Sequence, residues 1–358
     1  MTGMGENEKA DRRIAVVLFN LGGPNDQAAV EPFLFNLFND PSIIRLPGLL
    51  RRLIARMISK RRGPLARSNY ALMGGGSPIL GLTQAQADAL ERSLASIGTV
   101  KVFITMRYWH PMSAETAKAV MVFEPDRIVL LPLYPQFSTT TTASSLKAWH
   151  TAACGTGLDR VPTTTVCCYP RNDGFIEAQS SMITAALDKA GTGYPIRVLF
   201  SAHGLPESIV KAGDPYQWQV EATVDSIVKR LRERRGKDLD WRICYQSRVG
   251  PMKWLEPSTD AEIRRAGKEG RALIVVPIAF VSEHVETLVE LDIEYGKLAR
   301  DSGVPSYLRV SALGTADAFI AGLGQAVGRA MGRDGGTASD EGGRICPSEF
   351  SGCPCVGS

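Results

Sequence analysis

Short runs of apolar and β-branched residues recur along the chain, and stretches with helical periodicity separate them. Runs that stay apolar on both faces are typical of strands in parallel sheets that helices cover on both sides. The predicted strands are residues 14–22, 100–108, 127–135, 163–169, 196–204, 241–246, 272–280 and 306–314. The pattern therefore predicts an α/β fold.

The two sets of four strands resemble each other, which indicates an internal repeat. The first strand runs into Gly22-Gly23-Pro24, and the fifth runs into Gly204-Leu205-Pro206. We predict two similar doubly wound, Rossmann-like halves, at 14–170 and 171–332, after a disordered N-terminus at 1–13 and before a cysteine-containing tail at 333–358. Ligands of such folds bind beyond the carboxyl ends of the strands. This rule gathers Leu21, Arg107, Tyr134, His203, Gln246 and Phe280 around one cleft.

An insertion, the lip (residues 30–80), separates the first two predicted strands. Residues 41–87 contain eight basic and no acidic side chains. On a helix, Leu49, Leu50, Leu53, Ile54, Met57 and Ile58 share one face, and Arg51, Arg52, Arg56 and Lys60 share the other. Such a helix suits an anionic membrane surface or an acidic apolar ligand. The alternative is a helix packed on the core with a solvated basic face.

Composition excludes several classes of protein. The 358 residues carry a net charge of +4, too small to indicate nucleic-acid binding. An apolar run long enough to span a membrane is missing, and residues 1–13 lack the apolar centre of a signal peptide, so we expect a cytoplasmic protein.

Two glycine motifs do not fit a nucleotide site. Gly22-Gly23-Pro24 lacks the third glycine of a dinucleotide fingerprint, and no Lys-Ser/Thr follows Gly74-Gly75-Gly76. We expect both to be tight turns that let the backbone approach a ligand closely.

His203 and a row of glutamates are the candidate chemical groups. His203 ends a buried predicted strand, where a histidine is more often functional, although a satisfied core histidine is the alternative. Glu286, Glu290 and Glu294 are spaced four apart and share one face of a predicted α-helix. Because like charges at that spacing destabilise a helix, the row suggests a path for cations or protons. A solvated acidic face is the alternative.

Six motifs together resemble the ferrochelatase family. They lie at residues 18–24, 70–79, 106–111, 133–138, 201–206 and 280–288, and the resemblance spans 14–332. It implies a chelatase-type fold and a lyase that inserts Fe²⁺ into protoporphyrin IX, giving protohaem and two protons in the terminal step of haem biosynthesis. Leu21 resembles the protoporphyrin-using branch of the family more than the coproporphyrin-using one.

The resemblance also implies roles for individual residues. His203 is then the active-site base or a metal ligand, Glu286 faces it, Glu290 and Glu294 continue a conduit for iron, and His284 supports Glu286. The porphyrin-binding residues are Leu21, Tyr70, Ser77, Arg107, Tyr108, Tyr134, Arg61 and Arg62, with Arg107 and Ser77 holding propionates. Some relatives carry lysine where this chain has Leu65. The lip side chains Phe33, Leu34, Leu37, Phe38, Ile43 and Ile44 would face membrane or ring.

Three cysteines close together in the tail indicate metal ligands. Cys346, Cys353 and Cys355 follow a glycine-rich linker, and zinc or an iron–sulfur cluster would need a fourth ligand. Some ferrochelatases hold a [2Fe–2S] cluster with three such cysteines and one internal cysteine. The animal-type position is Thr139 here, so the remaining candidates are Cys167 or Cys168, then Cys154. Strand neighbours point in opposite directions, so we expect only one of Cys167 and Cys168 to bind. A disordered tail is the alternative.

Three functions stay open at this point. The first is insertion of Fe²⁺ into a porphyrin, with peripheral membrane contact through the lip and handover partners in haem synthesis. The second is a related cobalt or nickel tetrapyrrole chelatase, since divalent-metal affinities overlap. The third is a haem or porphyrin carrier without turnover, which would need no acidic row. The sequence does not predict an oligomeric state.

Overall fold

Two parallel sheets organise the structure, a computed structural model that describes residues 12–191, 193–248, 250 and 252–355. The first sheet has the strand order β2-β1-β3-β4-β9. Its strands are β1 (Arg13–Asn20), β2 (Thr99–Met106), β3 (Arg127–Pro132), β4 (Thr163–Val166) and β9 (Gly336–Ala338). β1 lies inside this sheet and pairs with β2 and β3 along nearly its whole length. Its residues Ile14–Phe19 are almost completely buried, as expected of a strand covered on both faces.

The second sheet repeats the arrangement of the first. Its strands are β5 (Ile196–His203), β6 (Trp241–Gln246), β7 (Ala272–Pro277) and β8 (Tyr307–Arg309), in the order β6-β5-β7-β8. When four is subtracted from each strand number, this order becomes β2-β1-β3-β4, which is the order of the first four strands in the first sheet. The predicted repeat of two doubly wound parallel α/β halves is therefore confirmed.

Helices connect the strands of each sheet. In the first half they are α1 (Val30–Phe38), α2 (Gly48–Ala71), α3 (Ile79–Ser93), α4 (Ser113–Phe123) and α5 (Thr142–Thr156). The second half contains α6 (Asp173–Ala190), α7 (Glu207–Lys211), α8 (Tyr216–Arg235), α9 (Thr259–Lys268), a π-helix (Glu286–Glu294), α10 (Tyr295–Asp301) and α11 (Asp317–Met331). Asn172 and Ser258 accept hydrogen bonds from the first-turn amides of α6 and α9, as N-cap residues do. None of the described helices combines the length and apolar composition needed to cross a bilayer.

Each half has its own apolar core. In the first half Phe19 of β1 meets the edge of Trp149 from α5, with ring centroids 6.0 Å apart. In the second half Leu199 and Val275, from neighbouring strands, pack with Ile263 of α9. Burial of such side chains is the main stabilising contribution to each half.

Contacts divide the described residues into two compact units. The first takes its residues from Met1–Tyr169, Ile320–Ile345 and Pro354–Ser358, and the second from Pro170–Phe319 and Cys346–Cys353. Each unit contains one of the sheets, and each is described below by itself.

The eight predicted strands all occur, but several end earlier than predicted. β4 ends at Val166 and β7 at Pro277, because the buried residues beyond them belong to loops at the carboxyl edge of the sheet. β9 was not predicted, since Gly-Thr-Ala has neither the length nor the apolar pattern of a strand. It forms by pairing with β4 at Thr164–Val166.

Candidate active site

His203 and Glu286 form the centre of the candidate site in the second unit. β5 ends at His203, and the π-helix begins at Glu286. The Nδ1 of His203 lies 2.9 Å from Oε2 of Glu286. Burial opposes protonation of His203, but the charge of Glu286 and this hydrogen bond outweigh it and raise the pKa of the imidazole. Burial also opposes ionisation of Glu286, yet His203 lowers its pKa to about 2. Both shifts favour an imidazolium that donates to a carboxylate.

His284 and Phe280 surround this pair. The backbone N–H of Glu286 donates to Nδ1 of His284 at 3.1 Å, so the ring of His284 fixes the start of the π-helix. Burial lowers the pKa of His284, which favours its neutral form, with the proton on the other nitrogen. The ring of Phe280 stands edge-on to both imidazoles, with centroids 4.6 Å from His284 and 6.5 Å from His203.

The glutamate row lies on a π-helix, so the prediction of an α-helix there is wrong. Glu286–Glu294 is a π-helix, in which each N–H bonds to the carbonyl five residues earlier, and α10 continues it. Glutamates spaced four apart do not distinguish the two forms, because four residues make about one turn of either. Within the row Glu286 and Glu290 are partly buried, whereas Glu294 is exposed. π-helices often occur at functional sites, which agrees with the chemistry expected here.

Glu290 lies in a cradle of hydrogen-bond donors. The backbone N–H of Ser247 donates to it at 2.8 Å, and its hydroxyl donates as well. The amide of Gln246 and the hydroxyl of Tyr295 each add a bond at 3.2 Å. Ser247 has a φ of 62°, a left-handed conformation that non-glycine residues rarely adopt. Burial, together with the charge of Glu286, raises the pKa of Glu290 despite these donors.

Gln246 connects this cradle to β5. It is completely buried, and the hydroxyl of Ser201 donates to its carbonyl oxygen at 2.8 Å. That bond turns the amide nitrogen toward Glu290 and the carbonyl oxygen of Glu286. Of the residues predicted to line the cleft, the second unit therefore brings together His203, Gln246 and Phe280.

The corresponding strand ends of the first unit carry Leu21, Arg107 and Tyr134. The backbone N–H of Arg107 donates to Asn20, and that of Tyr108 donates to Leu21, so the loops after β1 and β2 run side by side. Burial raises the pKa of Tyr134 well above its ordinary range.

Asp40 is a site residue that the sequence did not indicate. Its side chain is buried, and it accepts hydrogen bonds from Tyr108 at 2.8 Å and from Ser144. Arg107 forms an ion pair with it, with Nη2 2.8 Å from Oδ2. Burial alone would raise the pKa of Asp40, but these partners lower it. The signal in the sequence was weak, because an aspartate in Asn39-Asp40-Pro41 reads as a turn residue.

The two glycine motifs contact each other, and their expected close approach to a ligand stays a prediction. The backbone N–H of Ser77 donates to the carbonyl oxygen of Pro24 at 2.7 Å. A Cβ on Gly23 would lie 2.5 Å from that of Ser77, and one on Gly76 would collide with the carbonyl of Asn25. The motifs therefore require glycine at these two positions for their own packing.

The lip contributes the other predicted porphyrin-binding residues. Tyr70 is buried at the end of α2, Arg61 is exposed, and the guanidinium of Arg62 lies 5.7 Å from the centre of the Phe38 ring. Phe33 and Leu34 were expected to face membrane or ring. The structure buries both, because their face of α1 packs inside the first unit.

The outer side of α2 is both apolar and basic. Leu49, Leu53 and Met57 are 83%, 65% and 63% exposed. Arg52, Arg56 and Lys60 are exposed in the adjacent row. The buried residues of this part of the helix are small, at Ala55, Ser59 and Gly63. The helix therefore packs through small residues and leaves both its leucines and its basic row exposed. The exposed leucines favour a binding surface, and a packed helix with a solvated basic face stays the alternative.

The cysteines near β4 do not point in opposite directions. The Sγ atoms of Cys167 and Cys168 are 3.3 Å apart, and Cys167 lies 3.5 Å from Cys355. The expectation failed because β4 ends at Val166, so strand alternation no longer applies. β9 holds the tail beside this loop, since the N–H of Cys167 donates to Ala338.

The other tail cysteines belong to the second unit. Cys346 and Cys353 are buried there, and the side-chain amide of Gln219 donates to Cys346. Cys154 is exposed on α5. Among the described residues, no three His, Cys, Asp or Glu side chains are arranged so that they could hold a metal ion as they stand.

Paired parallel sheets with an imidazole and carboxylates at the strand ends define an α/β protein of the chelatase type. A solved structure described as "SirB from Bacillus subtilis with Fe3+" matches with a TM-score of 0.52. It covers 89% of this chain and 95% of that one at 13% identity, so it supports the fold alone.

A family model described as Ferrochelatase matches residues 13–331. Ferrochelatase of Caulobacter vibrioides is 56% identical over 347 residues, which cover 96% of this chain and 98% of that protein. Ferrochelatases of Phenylobacterium zucineum and Rickettsia bellii are 54% and 48% identical over 96% and 97% of this chain, and over 98% and 96% of theirs. The chain belongs to the ferrochelatase family and is an enzyme of the lyase class.

Proposed function

We propose that the chain inserts Fe²⁺ into protoporphyrin IX, forming protohaem and releasing two protons as the terminal step of haem biosynthesis. The observation that carries this proposal is the His203–Glu286 pair, with Glu290 held beside it. Metal insertion needs a base for the two pyrrole protons and a route for a cation, and these three side chains supply both.

His203 is the proposed base for the pyrrole protons. The neutral imidazole accepts a proton, and Glu286 stabilises the charged form that each transfer produces. Glu286 keeps its charge over the whole neutral range because its pKa is about 2. His284 accepts a hydrogen bond from the backbone N–H of Glu286, which helps to keep Glu286 in place.

Glu286, Glu290 and Glu294 are the proposed path for iron. Carboxylate oxygens and imidazole nitrogens suit a divalent iron ion that must give up its water. Exposed Glu294 would receive the cation, and Glu290 would pass it inward to Glu286 and His203. The donors around Glu290 already occupy its lone pairs, so a passing metal would bind there weakly enough to leave.

The first unit supplies the proposed porphyrin contacts. Arg107 uses Nη2 for Asp40 and Nε for Ser144, which orients its remaining donors for a propionate. Ser77 is the second proposed propionate contact. Leu21, Tyr70, Tyr108 and Tyr134 are the proposed pocket walls, with Arg61 and Arg62 at the polar edge.

The lip is the proposed contact with a membrane. The exposed leucines and methionine of α2 lie beside a basic row, which is the chemistry that binds an anionic lipid surface. We therefore propose a cytoplasmic enzyme that associates peripherally with membrane and exchanges its apolar substrate and product with handover partners.

The proposed domain organisation is that of the sequence prediction: halves at residues 14–170 and 171–332, and a tail at 333–358.

The tail cysteines are the proposed ligands of a [2Fe–2S] cluster. Cys355 already contacts Cys167, which favours Cys167 over exposed Cys154 as the internal ligand. Cys346 and Cys353 would complete the set. Thiolate sulfur is the donor that iron–sulfur clusters require, and burial of all four side chains suits such a group. When bound, the cluster would supply one-electron redox chemistry or rigidity.

Anaerobic incubation of the purified chain with Fe²⁺ and protoporphyrin IX tests the proposal. We expect loss of the free-porphyrin spectrum and appearance of haem, and His203→Ala should abolish this while it still binds porphyrin. A chain that turns over a different tetrapyrrole with Co²⁺ or Ni²⁺, and leaves Fe²⁺ with protoporphyrin unreacted, would support the related chelatase instead. Tight binding of haem without any turnover would support a carrier.

A further inference from the structure

The π-helix is held from one side by a short strand, β8. Two side chains of β8 that are two residues apart, and so lie on one face of the strand, contact it. The hydroxyl of Tyr307 donates to the carbonyl oxygen of Leu291 at 2.7 Å. Arg309 binds carboxylates at both ends of the segment.

Arg309 bridges Glu283 and Asp292 with a forked set of hydrogen bonds. Its Nη1 donates to Glu283 at 2.8 Å, just before the π-helix begins. Its Nε and Nη2 donate to the two oxygens of Asp292, in the last turn, at 2.6 and 2.8 Å. The backbone N–H of Ala312 adds a bond to Glu283. One guanidinium thus joins two positions nine residues apart.

The Glu283 arm of this contact is not an ordinary surface ion pair, whereas the Asp292 side chain is 39% exposed. The side chain of Arg309 is only 9% exposed and that of Glu283 is 18% exposed. Exposed pairs contribute little because water screens them, whereas a buried arginine persists only where carboxylates and hydrogen bonds compensate its charge. The geometry is also bidentate, which arginine provides and lysine does not.

A π-helix of nine residues needs such a restraint. π-helices are rare and usually a single turn long, because the α-form is more stable. A shift of one residue in register would rotate the following side chains by about 100° around the axis. Glu290 would then leave its donors at Ser247, and Glu286 would leave His203.

We propose that Arg309 is a positioning residue for metal insertion. By tying Glu283 to Asp292 it holds the segment in the π-form, in which Glu286 and Glu290 both face the site. The inference rests on the proposed function, because it assigns the two glutamates to the metal path. Arg309 itself lies outside the reacting atoms.

Asp292→Asn and Tyr307→Phe are suitable tests, because each removes one anchor and leaves the buried Arg309–Glu283 pair intact. Arg309→Lys keeps the charge but loses the fork. Asp301→Asn is the matched control, since it breaks an exposed pair with Lys297 in α10, the direct continuation of the same helix. Arg309→Gln is avoided, because it would leave Glu283 buried without its charge partner.

Two measurements separate positioning from general stability. The first is the KM for Fe²⁺ and for protoporphyrin, each with kcat. The second is hydrogen exchange of the amides of residues 286–294. We expect Asp292→Asn and Arg309→Lys to raise the KM for Fe²⁺ about tenfold, the lower end of what partners of metal ligands contribute. The KM for porphyrin should stay unchanged, and the amides should exchange faster. Tyr307→Phe should act in the same direction, and the control should change neither quantity.

Three results would overturn the proposal. They are unchanged exchange in the three test variants, faster exchange with an unchanged KM for Fe²⁺, and an equal effect in the Asp301→Asn control. Wild-type protein without chelatase activity would instead overturn the proposed function. The positioning role of Arg309 would then be tested by exchange rates and by Co²⁺ binding in a titration calorimeter. Loss of Co²⁺ affinity in Asp292→Asn would support that role, and unchanged affinity would refute it.

Discussion

At the scale of single residues, the site depends on how neighbouring charges set each other's protonation. His203 and Glu286 stabilise one another's charged forms. Burial and the charge of Glu286 instead raise the pKa of Glu290, which lies four residues further along. Two carboxylates of the same helix therefore have pKa values moved in opposite directions. Such a separation is typical of sites that move protons.

The first prediction concerns the pH dependence of catalysis. The pKa of His203 lies above its ordinary value of 6.5, so the imidazole is protonated below that pKa and accepts no proton. We expect kcat/KM to rise with pH through this raised pKa. Glu286→Gln should move the rise to lower pH, because the stabilising charge is gone, and should reduce the rate by about 10² to 10⁴-fold. A pH–rate profile measures both, and an unmoved rise in Glu286→Gln would contradict the coupling.

The second prediction compares two glutamates of the row. Glu290→Gln should raise the KM for Fe²⁺ by about tenfold, because it removes a ligand charge and places an amide against the donors of Ser247. Glu294→Gln should change it much less, since Glu294 is exposed. Steady-state kinetics with varied Fe²⁺ provide the comparison. Equal and small effects at both positions would mean that the row is a solvated acidic face.

At the scale of elements, two helices depart from ordinary packing. The π-helix places its two inner glutamates at the candidate site, and His284, Ser247 and Arg309 each form hydrogen bonds with it. α2 instead leaves large apolar side chains in solvent, and packs through small residues. Exposed apolar rows of this kind mark binding surfaces.

The third prediction concerns that surface of α2. The chain should bind anionic vesicles, and added salt should weaken the binding because it screens the basic row. Changing Arg52, Arg56 and Lys60 together to Gln should weaken it by about 1 kcal/mol per residue. Arg51 is left out, because it bonds to the carbonyls of Asn39 and Leu46.

A charge-matched control variant separates this surface from net charge. Lys229, Lys237 and Arg264 are exposed in the second unit, and changing all three to Gln removes the same charge. Vesicle flotation should distinguish the two triple variants. Equal loss in both, or binding that ignores salt, would refute a lipid-binding role for α2.

At the scale of the whole molecule, one chain builds the same parallel strand order twice. The strand orders are β2-β1-β3-β4 and β6-β5-β7-β8, and in each sheet predicted site residues follow the carboxyl ends of strands. The tail then adds β9 to the first sheet, which carries the chain back beside Cys167. Residues far apart in sequence thus meet through sheet pairing.

The fourth prediction is that this tail holds a [2Fe–2S] cluster. Purified protein should be coloured, from charge transfer between thiolate and iron. Single changes to Ser at Cys167, Cys346, Cys353 and Cys355 should each bleach it. Cys168→Ser tests the neighbouring thiol, and we expect it to retain colour. Absorbance and sulfide analysis give the readout.

Two further cysteines are matched controls for the cluster. Cys154 is exposed, and Cys244 is buried in the core of the second unit, where burial raises its pKa to about 12. Changing either to Ser should leave the colour intact. Zinc without sulfide in the purified protein would refute the cluster and leave the His203 and Glu286 assignments untouched.

The sequence by itself determined the eight predicted strands, their repeat and the lip, because these depend on local apolar runs and chain order. It also indicated His203 and Glu286, since a strand end and a helix start are local features. Only the tertiary structure decided the π-form, the burial of Asp40, the contact between the glycine motifs and the approach of Cys355 to Cys167. Each of these arises from a partner distant in the chain, such as Arg309, Arg107, Ser77 or β9, and no local pattern reports a distant partner. The short β9 is the clearest case, because it is a strand only through its pairing with β4.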